Sequence, residues 1–294
     1  MSQTTVPIVI LHRGNQPYFR SCVLLNAKYN PVIVLGDDTN RDIVSVPNVE
    51  HVPIDTLDTP ELAEFRAHFT NYSTNSAGYE FLCFARVYYM RRLMELKGLD
   101  AVFHTDSDCI VVERLDKIVP QIHAKGYTIA YSLEQSDSPT HMVGCIHNGL
   151  LTREFCDAFA TLCSDIYINK TKLSLIEPKI KWHRDNRQAG GICDMTLYHL
   201  LASEGLLRVL DLNHILEVDG VPCTFDHNIN IAGGYKGAST YRMKGPMKQI
   251  RKEGDHFFIQ EVAATVGHEV RALSFHFQGG AKPHMFQIYK NGNP

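Results

Sequence analysis

The sequence predicts an α/β fold with a mostly parallel central sheet flanked by helices. Two observations carry this expectation. A short apolar run, a helix-spaced segment and a second apolar run follow one another within the first 36 residues, which is the pattern of a parallel βαβ unit. Further on, an amphipathic stretch at 79–97 leads into another apolar run at 101–103, closed by Asp106-Ser107-Asp108. Ligands of open α/β sheets gather outside the carboxyl ends of the strands.

Composition sets the bounds. A chain of 294 residues and 33.2 kDa is long enough for one large domain or two small ones. With 44% apolar residues it can build a full core. A net charge of −3 and a pI of about 6.6 give no electrostatic case for binding nucleic acid. No run of 18 apolar residues exists to span a membrane. The apolar run at 6–11 has no basic stretch before it and no small-residue cleavage site after it, so it reads as a first strand and not as a signal peptide. None of the eight cysteines forms a Cys-x-x-Cys pair, and most lie in apolar stretches. They are expected to be reduced core thiols of a cytoplasmic protein, which leaves the Asn-x-Ser/Thr matches at Asn71 and Asn169 unused. The 15 histidines show no ligand spacing that supports a zinc site.

Taken in order, strand one (6–11) is followed by a turn at 12–15. Pro17 fits a first helical turn, with Tyr18, Cys22 and Leu25 at helical spacing until Asn30-Pro31. Strand two (32–35) ends at Gly36-Asp37-Asp38. There Asp37 or Asp38 either accepts a hydrogen bond from a nucleoside or caps a turn. A strand is expected at 49–54, and Thr59-Pro60-Glu61 has the cap, proline and acid of a helix start. After a polar loop at 71–78, the helix at 79–97 carries Phe81, Ala85, Tyr89, Leu93 and Leu96 on one stripe and ends at Gly98. Arg86, near that stripe, either reaches phosphates, holds the acidic triplet, or forms a simple ion pair.

The acidic triplet separates two apolar runs, 101–103 and 109–112, as a buried strand that breaks off and resumes. Its two carboxylates on one side of a small turn make half of a site for Mg2+ or Mn2+. Ordinary loop residues are the competing reading.

Beyond it, a short helix is expected after Arg114, a strand at 127–132 and a loop at 136–141. Residues 145–151 combine a polar turn with apolar ends, and Asn148-Gly149 there would let backbone approach a sugar. A helix capped by Thr152 carries Phe155, Phe159, Leu162 and Ile166. Residues 167–189 lack clean periodicity and hold six basic residues with the only tryptophan, Trp182. They read as a lid, an acceptor-binding segment or a solvated insertion. Gly190-Gly191 precede a helix with Asp194 near its start, where an N-cap is the plainer role. A strand at 207–210, a polar cluster Phe225-Asp226-His227-Asn228, a solvated basic stretch at 244–252 and strands at 256–264 and 269–275 complete the chain. The last strand runs into His276. Gly279 there permits a tight turn, and Lys282 brings a point charge for a diphosphate. His276, a borderline ligand at a strand end, would join Asp106 and Asp108 in a mixed oxygen and nitrogen shell.

Asp106-Ser107-Asp108 followed by His276-x-x-Gly279-x-x-Lys282-Pro283 resembles the retaining nucleotide-sugar glycosyltransferases of family 8, the group of glycogenin and lipopolysaccharide galactosyltransferases. The resemblance implies the Rossmann-like GT-A fold over 1–294. Residues 1–112 would be a nucleotide-binding half ending in the Asp-x-Asp motif, and 113–294 an acceptor half with the His/Lys metal-diphosphate motif. It implies Mn2+ (or Mg2+) on Asp106, Asp108 and His276, and a UDP-sugar held by Leu11, Asp37, Arg86, Asp106, Ser107, Asn148, Gly149, Gly279 and Lys282. Asp194 would act at the catalytic centre, corresponding to the aspartate of the family's Asp-Gln pair. The acceptor would be a saccharide or glycolipid, with peripheral membrane contact open through 244–252. Departures are Met195 in place of the glutamine and His284 where tryptophan is usual. Three other readings stand beside this one. An inverting transferase would use Asp194 or Asp226 as base. A second is a catalytically silent nucleotide-sugar or glycan-binding module. A nucleotidyltransferase is the third, although His12-Arg13-Gly14-Asn15 is a poor version of its loop.

Overall fold

Six of the seven strands in the main sheet run in one direction, and this follows from chain connections long enough to carry helices between them. The computed structural model describes residues 6–134, 136, 138, 140–213, 216–233, 240–262 and 269–287. In chain order the strands are β1 (Ile8–Leu11), β2 (Val32–Gly36), β3 (Val49–Pro53), β4 (Ala101–Thr105), β5 (Cys109–Val111), β6 (Ile129–Leu133), β7 (Gly144–Thr152), β8 (Val209–Asp211), β9 (Leu216–Val218), β10 (Val221–Phe225), β11 (Met243–Lys244), β12 (Met247–Lys248), β13 (Ile250–Glu253), β14 (His256–Gln260) and β15 (Glu269–His276). The helices are α1 (Pro17–Ala27), α2 (Pro60–His68), α3 (Ala77–Lys97), α4 (Leu115–Ala124), α5 (Arg153–Cys163), α6 (Glu177–Asn186) and α7 (Asp194–Ser203). The main sheet has the order β3-β2-β1-β4-β7-β6-β8, with β7 alone antiparallel to its neighbours. Every residue of β2 is buried, as expected of a parallel strand covered on both faces. The fold class is the α/β class that the sequence predicts.

A second sheet, in the order β13-β14-β15-β10-β9 with β5 also on β15, packs over one face together with α1 and α4. The rings of Phe103 and Phe225 stack across that interface with centroids 5.9 Å apart. On the opposite face, α3, α5 and α7 bury Phe84 among Phe65, Phe159 and Tyr167. Each such side chain contributes about 1.5–3 kcal/mol on burial. Helix α3 begins with the Ser76 hydroxyl accepting the Tyr79 N–H and ends at Gly98 in the left-handed region (φ 63°). Its inward face is rotated from the expected stripe: Phe84, Ala85, Tyr88, Tyr89 and Leu93 are buried, while Phe81 is half-buried and Leu96 is 55% exposed. All eight cysteines are free thiols. Among the described residues no helix is long and apolar enough to cross a membrane.

Four sequence expectations are corrected. The strand that breaks off at the acidic triplet does not resume in the same sheet: β4 lies in the main sheet, while β5 pairs antiparallel with the end of β15. Residues 145–151 are not a turn but the middle of β7, and Asn148 and Gly149 pair with Thr105 and His104 of β4. The segment 167–189 is largely helical. Its continuation of α5 gives way to α6, anchored by buried Ile176 and Lys179, while its remaining basic residues face outward and blur any period. The basic stretch 244–252 is not uniformly solvated. Lys248 is fully buried, its ammonium 2.5 Å from Asp226 Oδ1 and 3.0 Å from the Asn228 carbonyl, over the ring of Tyr241. The strand expected at 256–264 is described as far as Gln260, and its last two residues lie outside the described residues.

A buried ion pair that loses one partner leaves an uncompensated charge. Lys248→Ala is therefore expected to lower unfolding stability by about 3–5 kcal/mol, whereas Lys244→Ala on the exposed side of the same hairpin should stay within about 0.5 kcal/mol. Urea denaturation of the two variants checks the contrast.

Candidate active site at the junction of the two sheets

The acidic turn is built where the chain passes from one sheet to the other. The Cys109 N–H closes it on the Asp106 carbonyl (3.0 Å), the Asp106 N–H reaches the His147 carbonyl (3.2 Å), and the Phe277 N–H reaches the Asp108 carbonyl (2.8 Å). On the edge away from β15, β5 has no strand neighbour among the described residues. The buried Asn26 of α1 serves there instead, donating Nδ2 to the Cys109 carbonyl (2.9 Å) and accepting the Val111 N–H (2.8 Å). Ser107 Oγ lies 2.9 Å from His12 Nδ1, and the His12 ring stacks on Phe19.

Because Cys109 pairs with His276, the side chain of Asp108 stands beside the end of β15. His276 Nε2 is 3.5 Å from Asp108 Oδ1, and Lys282 Nζ is 3.1 Å from Asp108 Oδ2 and 4.7 Å over the Tyr18 ring. Gly279 takes φ 58°, which lets the chain fold back and bring Lys282 round. His276 Nδ1 donates to the His227 carbonyl (2.7 Å), which turns Nε2 toward Asp108. Asp106 is held differently. Arg86 donates Nη1 to its Oδ1 (2.9 Å) and Nη2 to Asp194 Oδ2, and the Tyr198 hydroxyl adds a bond to the same Asp194 oxygen (3.0 Å). Asp194 is the first residue of α7 and not its cap; Cys193 occupies the cap position without a side-chain bond.

Among the described residues, Asp108, Cys109 and His276 form the one group of three metal-capable side chains, with donor atoms within 4.8 Å of one another. Cys109 belongs to it by strand pairing, and burial pushes its thiol well up, so it is a poor partner for a hard cation. Asp108 and His276 do fit. Two cis ligands of one ion lie roughly 3 Å apart, close to the 3.5 Å found here, and a histidine oriented through its other nitrogen is the usual supporting arrangement. Asn148 supplies a second sign. It is fully buried, yet among the described residues neither its Oδ1 nor its Nδ2 has a hydrogen-bond partner, an omission that costs about 1–3 kcal/mol. Gly149 is buried beside it with Leu151 and Ala130 close by.

The remaining expected residues are spread along the strand ends. Leu11 ends β1. Asp37 follows β2 and has both oxygens engaged, by Gly14 N–H (2.9 Å), Thr39 N–H (3.0 Å) and the Thr39 hydroxyl, so it ties the two loops together. Asp226, a base candidate in an inverting reaction, is buried in its ion pair with Lys248 and also faces the His276 N–H at 3.4 Å. It is therefore a support for the β15 end and not a free base. His147 and His227 have no expected role in the sequence. In the fold His147 stacks on His276 with ring centroids 4.8 Å apart and lies 5.9 Å from His227. Lone histidines beside apolar runs were the available signal.

Electrostatics follow from this packing. Burial works to raise the Asp106 carboxyl, but Arg86 and the nearby histidines outweigh it and hold it at about 2. Burial, then the Arg86 charge, drops His104 to about 4. Burial also drops His227 to about 4 and His147 well below its ordinary range. For His276 burial pulls down, but Asp108 and Asp106 prevail and the imidazole is raised.

No family model matches the chain, and no curated protein matches it. Among solved structures it is similar to the apo form of mouse xyloside xylosyltransferase 1, at 12% identity over 71% of this chain and 85% of that one, with a TM-score of 0.48. It is also similar to a cytidylyltransferase from Leptospira borgpetersenii serovar Hardjo-bovis, at 9% identity over 62% and 74% of the two chains and a TM-score of 0.33. A third likeness is A197 from STIV, at 11% identity over 52% and 68%, with a TM-score of 0.27. Likenesses this distant assign neither activity nor site.

Lowered histidines set an acid limit on stability, His104, His147 and His227 near the site among them. Near pH 6.5 and below, the unfolded chain takes protons that His104, His147 and His227 refuse while folded, so stability falls as pH drops from 6.5 toward 4. For a fully buried histidine, each tenfold loss of proton affinity on folding corresponds to about 1.4 kcal/mol. His276 works in the opposite sense, adding stability that is present below 6.5 and lost as pH rises through its folded value. His12 and His199 are lowered too, so five groups oppose one; the urea midpoint should fall between pH 7 and pH 4.5, and His104→Gln should flatten that fall.

Proposed function

We propose that the chain is a metal-dependent glycosyltransferase that moves a sugar from a UDP-sugar to a hydroxyl of a saccharide or glycolipid acceptor, with retention of configuration. The observation that carries this reading is the meeting of Asp108, His276 and Lys282 at one junction, outside the carboxyl ends of β1, β2 and β4. Hard oxygen and imidazole donors beside a lysine suit a divalent cation carrying a diphosphate. Residues 1–112 would hold the nucleotide, with Leu11 and Asp37 beside it, and 113–294 would hold the acceptor.

Asp108 and His276 would hold the cation, with Asp106, outside their donor cluster and paired with Arg86, as the third ligand the family resemblance implies. When bound, Mn2+ or Mg2+ supplies Lewis-acid stabilisation of the charge that develops on the diphosphate. The bond between the anomeric carbon and the β-phosphate oxygen breaks, and its electron pair leaves with UDP. Lys282 donates to that phosphate as its charge grows. The acceptor oxygen bonds to the anomeric carbon from the leaving-group side, and its proton passes to a phosphate oxygen. Arg86, braced by Asp194 and Tyr198, keeps the Asp106 carboxylate ionised and aimed. The unpaired amide of Asn148 would be the donor-side group on β7, with Gly149 beside it. Retention is favoured over inversion because both base candidates are engaged, Asp226 by Lys248 and Asp194 by Arg86.

The test is release of nucleotide from a panel of UDP- and GDP-sugars, with Mn2+ and with EDTA. One UDP-sugar should turn over in Mn2+ alone, Asp108→Asn should abolish turnover, and Lys282→Ala should lower kcat about 100-fold. Turnover that survives EDTA and Asp108→Asn, or no UDP-sugar turnover at all, would remove this reading.

A further inference from the structure

Beyond the acidic turn, the first turn of α3 and the loop before α7 border a second concavity. A pocket of about 510 Å3 lies between the 73–75 loop, the 138–143 segment and α6. That volume falls within the roughly 300–1,000 Å3 typical of small-ligand sites. Its lining surface is more apolar than polar, with polar groups set into it. Asn75, Glu80, Lys179, His183 and Gln188 supply them, with the indole of Trp182 at the rim.

Three features mark it as built for a ligand. Glu80 is 1% exposed and lines the pocket. Its Oε1 accepts Asn75 Nδ2 at 2.7 Å, Ser73 adds a side-chain bond to the same carboxyl, and burial raises its pKa. A carboxyl has capacity for further hydrogen bonds beyond these two, which a ligand at the pocket wall can use. Trp182 is 41% exposed although it is the only tryptophan of the chain, and an indole face edged by polar groups is suited to a ring with one apolar face and several hydroxyls. The far wall is also specifically constructed. The loop at 190–192 pairs with 72–74 through Thr74 N–H to the Gly190 carbonyl (3.0 Å) and Ile192 N–H to the Tyr72 carbonyl (3.2 Å). Gly191 sits at φ 132° with the Tyr72 carbonyl oxygen 2.0 Å from where a Cβ would stand, so only glycine closes that wall.

We infer that this pocket binds a saccharide. The sugar lies with one ring face on Trp182, and a hydroxyl bonds to the Glu80 carboxyl. Its role as the acceptor site rests on the transferase reading; its binding chemistry does not. The pocket lies next to the candidate active site along the chain: Cys193 lines it and directly precedes Asp194, and Glu80 lies within electrostatic reach of Asp194 and Arg86.

Trp182 makes the test direct, because all tryptophan emission comes from this pocket. The full-length protein in EDTA is titrated with methyl glycosides of glucose, galactose, xylose and N-acetylglucosamine, and with their β-1,4 disaccharides, while its emission is followed. At least one should give a saturable change. Glu80→Gln should weaken that saccharide about tenfold. Trp182→Ala, at an exposed position that folding tolerates, should abolish its binding by calorimetry. No saturable change with any of these sugars overturns the proposal, and so does an unchanged affinity in both variants. Calorimetry with UDP and Mn2+ separates the two claims. UDP binding without a saccharide response leaves the transferase reading standing and removes the pocket. A saccharide response without UDP binding does the reverse.

Discussion

The antiparallel pairing of Cys109 with His276 is the constraint on which the site depends. It forces the chain to leave the main sheet at the acidic turn, and it sets Asp108 against a histidine from the far end of the chain. A shift of one residue in that register would turn His276 to the opposite face and separate it from Asp108. The register is correspondingly well defended. Asn26 stands in for the missing strand on one side of β5, and the Phe277 N–H bonds to the Asp108 carbonyl beyond its end. The Asp226 carboxylate, pinned by Lys248, braces the end of β15 from beneath.

Charge in this region is balanced by two separate pairings. Lys282 and His276 attend to Asp108, while Arg86 is shared by Asp106 and Asp194. Removing these groups from water is costly unless each has a partner. The four histidines divide along the same line. His276 faces carboxylates and is raised, while His104, His147 and His227 sit in apolar or cationic surroundings and stay neutral. One residue type thus serves as charge partner and as neutral packing within a few ångströms.

Much of the frame was legible in the sequence because it rests on local patterns. The βαβ start, the capped helix α3 with Gly98 and the strand before Asp106 all depend on spacing and punctuation within a few residues. What was not legible depends on partners far along the chain. Nothing near Cys109 announces that β5 belongs to another sheet. Lys248 resembles its solvated neighbours until Asp226 is placed under it. Helix α6 gives no period because Ile176 and Lys179 alone anchor it firmly. Asn148 and Gly149 looked like a turn because polar and small residues usually are one, whereas here they fill the middle of β7.

Arg86 has a consequence for how occupancy at one end is felt at the other. A single guanidinium divides its donors between Asp106, in the acidic turn, and Asp194, which follows Cys193 of the Glu80 pocket in the chain. Any ion or ligand that draws on Asp106 changes what Arg86 gives to Asp194, and the converse holds equally. By thermodynamic reciprocity, the free energy with which one end alters the other is the same in both directions. Arg86 therefore ties the electrostatics of Asp106 to those of Asp194 through one side chain.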